Sequence, residues 1–143
     1  MKFFQVDSFT DSVFKGNPAG VCILTEEKSE EWMQKTAAEM NLSDTAFLSK
    51  YKDGYNLRWF TPSTEVNLCG HATLASAHIL WEYKYLENDA EAKFFTKSGI
   101  LTANLRNDWI ELNFPAEPEE CSETPFELGQ ALGVDIIYIG KNR

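Results

Sequence analysis

The sequence predicts an α+β fold. Short strand-like runs recur along most of the chain, two helical segments interrupt them, and three strands joined by tight turns follow the second helix. The first run, Phe3 to Phe9, alternates loosely and is rich in aromatics, as a half-buried strand should be. Thr10 to Asn17 carries Asp, Ser, Gly and Asn and is expected to be a loop. Pro18 lacks an N–H, which argues against a central strand at that point and starts the next strand at Val21–Leu24. Ser29 is placed to cap a helix whose first turn holds Glu30 and Glu31, favourable to the helix dipole. Trp32, Met33, Thr36, Ala37 and Met40 share one face of it, and Asn41 is the expected stop.

Strands follow at Thr45–Ser49 and Tyr55–Phe60 around the turn Lys52-Asp53-Gly54. A second helix is expected from Gly70 toward Tyr83, with Ala72, Ala75, Ser76, Ile79, Leu80 and Tyr83 at helical spacing. Ala92–Thr96, Ile100–Leu105 and Trp109–Phe114 form a meander turned by Ser98-Gly99 and Asn107-Asp108. Thr124-Pro125-Phe126-Glu127 has the form of a capping box with proline at the first helical position, and Gly133 would end that helix. Ile136–Ile139 is apolar and reads as a buried strand. A strand so near the last residue is expected either to pair back into the sheet or to open a second unit beyond this chain.

At 143 residues the chain is sized for one domain, 1–143, burying roughly 70% of its unfolded surface. A formal net charge of -9 argues against nucleic acid or anionic membrane as partner, because phosphates demand a basic face. Cys22, Cys69 and Cys121 are odd in number and widely spaced, so neither a disulfide framework nor paired zinc ligands is expected. No metal is expected either: His71 and His78 lie seven apart with no carboxylate motif around them. The N-terminus has no continuous apolar stretch of signal-peptide type, so a cytoplasmic protein with reduced thiols is the expectation.

Several residues have the chemistry of a site. Gly16-Asn17-Pro18 is either a rigid loop lining a cleft or simply a turn. Asp44 follows a helix end and precedes an apolar strand, where a carboxylate could act as general base. The competing reading is a local turn in which Ser43 and Asp44 bond nearby backbone. Gly70-His71 opens the second helix, where the free N–H groups of a first turn favour a carboxylate ligand. His71 would hydrogen-bond substrate or relay a proton there, or else serve as a partly buried structural histidine. Cys69 at the same helix start is either a thiol of lowered pKa or an ordinary buried cysteine.

Four segments then stand out together: Val6-Asp7-Ser8-Phe9-Thr10, Gly16-Asn17-Pro18-Ala19-Gly20-Val21, Asn41-Leu42-Ser43-Asp44-Thr45-Ala46-Phe47, and Trp59-Phe60-Thr61-Pro62 running to Leu68-Cys69-Gly70-His71-Ala72-Thr73. In this order they resemble the N-terminal half of PhzF-like isomerases of the phenazine-biosynthesis type. That family shares its fold with diaminopimelate epimerase. The resemblance implies one lobe of a two-lobed architecture, a mixed or antiparallel sheet wrapped around a central helix, with the second lobe absent from this chain.

The resemblance also implies a cofactor-independent isomerase that moves a proton on a small carboxylic acid. Asp44 falls where the family has its catalytic glutamate, and is shorter by one methylene, about 1.5 Å. A displacement of about 1 Å can cost on the order of 100-fold in rate. His71 would assist catalysis, and Asn17, Gly70, Ala72 and Thr73 would border the substrate. Thr61–Glu65 corresponds to a loop bordering the substrate in the family, which makes Glu65 either a second site carboxylate or a solvated loop charge. In the related epimerases a cysteine at the position of Cys69 is one of two acid/base thiols, which implies an alternative, a cysteine-based racemase. A third expectation is a non-catalytic module that self-associates, as a homodimer, through the apolar face the second lobe would cover.

Overall fold

The computed structural model describes residues 1–123, 125 and 127–142. The elements run β1 (Lys2–Ser8), β2 (Asn17–Leu24), α1 (Glu30–Met40), β3 (Asp44–Tyr51), β4 (Gly54–Phe60), β5 (Glu65–Val66), α2 (Gly70–Glu82), β6 (Ala92–Thr96), β7 (Gly99–Arg106), β8 (Trp109–Asn113), β9 (Glu120–Cys121), α3 (Leu128–Leu132) and β10 (Gly140–Lys141). One sheet has the order β1-β2-β3-β4-β6-β7-β8, with β5 paired to β4. Only β2/β3 and β4/β6 are parallel in it, so the fold is mixed α+β as expected. Helix α2 packs against β1 and β8, the two ends of that order, as well as against β2 and β3. The sheet therefore curls around α2.

Period-two alternation sorts the strands between two cores. Val21, Ala46, Leu48, Leu57 and Trp59 face α2 in the larger core, while Cys22, Phe47 and Phe60 face α1 with Met33 and Ala37. Phe47 and Phe60 meet edge to face, with ring centroids 5.6 Å apart. Burial continues around most of α2, through Ala72, Thr73, Ala75, Ser76, Ala77, Ile79, Leu80 and Trp81. That is wider than the single stripe read from spacing, and it is what a helix enclosed by a curled sheet requires. Tyr83, assigned to that stripe, is the C-cap and stands exposed. No helix among the described residues is long and apolar enough to cross a membrane.

Most expected elements are present within one or two residues, including the Ser29 cap, whose Oγ accepts from the Trp32 N–H at 3.2 Å. Asn41 ends α1 at φ +52. Three expectations need correction. Pro18 lies inside β2, opposite Asp7 of β1. Pairing of β2 with β3 begins one residue later, at Ala19↔Asp44, so the proline sits where β2 still has a free side and no ladder bond is lost.

Ile136–Ile139 forms no strand. Pairing in this region begins at Gly140 against Cys121, and Ile137 is 100% exposed. Its apolar residues have no facing sheet to bury them. Of the expected capping box, Thr124 and Phe126 lie outside the described residues. The helix itself starts at Leu128, where Glu127 makes no side-chain cap bond, and ends at Gly133 with φ +68 as expected.

Candidate functional site

The site grows from the parallel register of β2 and β3. That register sets Ala19 beside Asp44, so the starts of both strands lie together, and α2 begins there too. Its first turn is tied to β1 by Ser8, whose Oγ donates to the main-chain oxygen of His71 at 2.8 Å. The left-handed Asn41 turns the chain out of α1 and brings Ser43 and Asp44 onto the same spot.

Asp44 and His71 meet there. Oδ2 of Asp44 is 3.8 Å from Nε2 of His71, and their side chains are 15% and 10% exposed, respectively. Ser43 Oγ lies 3.1 Å from the same Nε2 and donates toward the Pro18 oxygen at 3.2 Å. It is also 3.5 Å from Oδ1 of Asn17, which brings Asn17 into the cluster. On the other side of the imidazole ring, Nδ1 is 3.3 Å from Cys69 Sγ. His71 is thus bracketed by a hydroxyl and a thiol.

Burial raises the Asp44 carboxyl above its usual range, and the nearby His71 and the Cys69 thiol pull it partly back. A carboxylate moved upward in this way is better matched to proton transfer near neutrality. Burial pushes the Cys69 thiol up to about 12, against the smaller downward pull of the Ala72 and His71 amides, while the negative Asp44 pushes it further up. Of the two readings of Cys69 offered by the sequence, this environment favours the buried cysteine over a thiol of lowered pKa.

The other expected residues divide. Gly70 has no atom within 4 Å of where a Cβ would stand, so the backbone is open to approach. Ala72 and Thr73 are fully buried. Oγ1 of Thr73 donates to the Cys69 oxygen at 2.5 Å, so these side chains build the helix start and do not reach outward. Glu65 is not a solvated loop charge: it holds Nε and Nη2 of Arg58 at 2.7 Å each and also pairs with Lys97.

His78 lies away from the cluster, on an open groove with Val6, Phe9, Leu74 and Trp109. The groove is the gap between β1 and β8, which do not pair. Sequence reasoning missed Ser43 and Ser8. Both stood inside the marked segments, but their partners are far away in the chain. Asp44, Cys69 and His71 also offer one donor atom each within 4.8 Å of one another, a set able to hold a metal ion. No sequence spacing announces it.

Relatives agree with this architecture. A protein named an uncharacterized isomerase from Halalkalibacterium halodurans is 57% identical, over 98% of this chain and 53% of its own length. The crystal structure of a phenazine biosynthesis protein of the PhzF family from Enterococcus faecalis superposes with TM-score 0.86 at 41% identity, covering 95% of this chain and 52% of that one. The structure of a Pseudomonas aeruginosa protein named a predicted epimerase, at 21% identity and TM-score 0.69, covers 86% of this chain and 45% of that one and shares the fold. The chain spans about half the length of the curated relatives it matches. With residues 6–126 matching the model of that family, this chain belongs to the phenazine biosynthesis-like proteins.

Proposed function

We propose that this chain supplies the Asp44 half of an isomerase site that moves a proton on a small carboxylic acid without a cofactor. The observation that carries the reading is the meeting of Asp44 with His71 at the first turn of α2. Asp44, raised by burial, takes a proton from carbon next to the substrate's carboxyl group. His71, held by Ser43, delivers a proton at a second position, so one proton leaves the substrate and one returns. The open backbone at Gly70, at the start of α2, suits the anionic end of such a substrate. The isomerase names of the relatives support the reaction class.

The test is deuterium uptake from D2O into a panel of small unsaturated and hydroxylated carboxylic acids, followed by mass spectrometry. The full-length protein should label at least one acid, and Asp44→Ala should abolish labelling. Unchanged labelling in Asp44→Ala would remove Asp44 as the base.

A second reading, self-association, is favoured by the apolar surface around the open groove. Trp109 is 80% exposed and Phe9, which lines the same groove, 69%, while Phe14 in the loop after β1 is 99% exposed. A second copy covering that face would bury them. Sedimentation at micromolar concentration should show a dimer, and a stable monomer would overturn it.

A further inference from the structure

Three side chains of different donor chemistry converge at the start of α2. Sγ of Cys69, an imidazole nitrogen of His71 and a carboxylate oxygen of Asp44 lie within 4.8 Å of one another. Thiolate, imidazole and carboxylate are zinc's protein ligands, and bonds of about 2.0–2.3 Å set neighbouring donors of one tetrahedral ion roughly 3–4 Å apart. Cys69 Sγ and His71 Nδ1 already stand 3.3 Å apart.

The rest of the histidine is held in place. Nε2 lies 3.1 Å from Ser43 Oγ, and the main-chain oxygen accepts from Ser8. Nδ1 is therefore the nitrogen turned toward sulfur, and outer contacts of this kind orient histidine ligands in metal sites. The side chains of Asp44 and His71 are mostly but not wholly covered. Gly70, between Cys69 and His71 in the chain, leaves the backbone side open. Three protein ligands with one open position is the pattern of zinc sites that keep a water or substrate oxygen.

We propose that Asp44, Cys69 and His71 form a binding site for a zinc-like divalent cation, which competes with the use of the same groups in proton transfer. Binding replaces the Sγ–H bond with a sulfur–metal bond, the thiol proton goes to solvent, and no electron moves. The competition rests on the function proposed above; the binding does not.

Co2+ reads the site directly, because thiolate-bound cobalt absorbs strongly in the near ultraviolet. Titration of the metal-free chain should give such a band, saturating at one Co2+ per chain with one proton released, and Zn2+ should abolish it. The band should persist in Cys121→Ser, whose thiol is exposed elsewhere, and vanish in Cys69→Ser. Ser43→Ala should weaken Zn2+ binding about 10-fold through loss of ring orientation. Should Cys69→Ser fail to fold by circular dichroism, Asp44→Asn keeps the thiol and should still bind Co2+ at least ~10-fold more weakly.

A wild-type chain without the band, a band surviving in a folded Cys69→Ser, or one lost in Cys121→Ser would overturn the site. Deuterium uptake that continues at saturating Zn2+ would overturn the competition. Absorbance reports on the metal alone, so failure of the isomerase reading leaves the binding result intact.

Discussion

Oδ2 of Asp44 stands 3.8 Å from Nε2 of His71, although the two residues belong to a strand and a helix separated by two further strands. Burial makes this carboxylate costly when ionised. A carboxyl whose folded pKa is raised contributes stability below its unfolded pKa and loses it as pH rises through the folded one. Asp44→Asn removes the buried charge. Thermal melting should therefore show a higher Tm than wild type at pH 7, with the difference shrinking toward zero in acid. The same variant should lose deuterium uptake. Stability gained with activity lost is the signature of a group kept for chemistry.

The thiols should sort by environment. Burial holds Cys69 up to about 12 and Cys22 up to about 11, whereas Cys121 is exposed on β9. The thiolate is the reactive form, so iodoacetamide at pH 7.5 should label Cys121 first. Cys22 and Cys69 should react at comparable rates only after denaturation. Peptide mapping by mass spectrometry checks this, and rapid labelling of Cys69 in the folded chain would restore the thiolate reading.

Arg58 joins three elements, holding Glu65 of β5 with two bonds of 2.7 Å and reaching Glu30 of α1 at 2.6 Å. Glu30 is largely exposed and adds little. Glu65 is mostly buried, and Arg58 with Lys97 holds its carboxyl below the usual range. A lowered folded pKa gives stability that is present above the unfolded value, near 4.3, and is lost as pH falls through the folded one. Arg58→Gln should thus cost about 1.5–3 kcal/mol at pH 7 and progressively less in acid. Urea midpoints taken from pH 7 down to pH 3 read the difference.

Phe47 carries the smaller core, lying between Trp32 and Phe60 with ring centroids at 6.1 and 5.6 Å. Phe47→Ala should cost about 3–5 kcal/mol in urea unfolding. Asp44 lies three residues away on the same strand but in the other environment. The loss should therefore appear as lowered stability, with deuterium uptake per folded molecule maintained.

What could be read from sequence here was local. Ser29, Asn41 and Gly133 act on their own helix ends, so their roles are visible without a fold. The Asn107-Asp108 turn likewise joins β7 to β8 by itself, and the turn expected at Ser98-Gly99 lies one residue earlier, at Lys97-Ser98. Pro18 was misread because its tolerance depends on where β3 begins to pair, a fact of register. Ile136–Ile139 was misread because apolar character predicts burial only if a facing surface exists, and here none covers Ile137. The site shows the same division. Asp44 and His71 were marked by the segments around them, but their meeting with Ser43 and Cys69 depends on parallel pairing of β2 with β3 and on where α2 starts.

Two glycines separate packing from conformation. A Cβ on Gly54 would stand 2.3 Å from the main-chain oxygen of Lys93, where β4 runs beside β6. That backbone oxygen cannot swing aside as a side chain would, so β4 and β6 must part locally. Gly54→Ala should cost about 1–3 kcal/mol and should deprotect the amides around Tyr55 and Phe94 in hydrogen exchange. Gly70→Ala is the contrast, since a Cβ there meets nothing within 4 Å and alanine favours the helix by about 0.5–1 kcal/mol. Its Tm should hold or rise. If both variants melted alike, the close approach of β4 to β6 would not be what requires glycine at position 54.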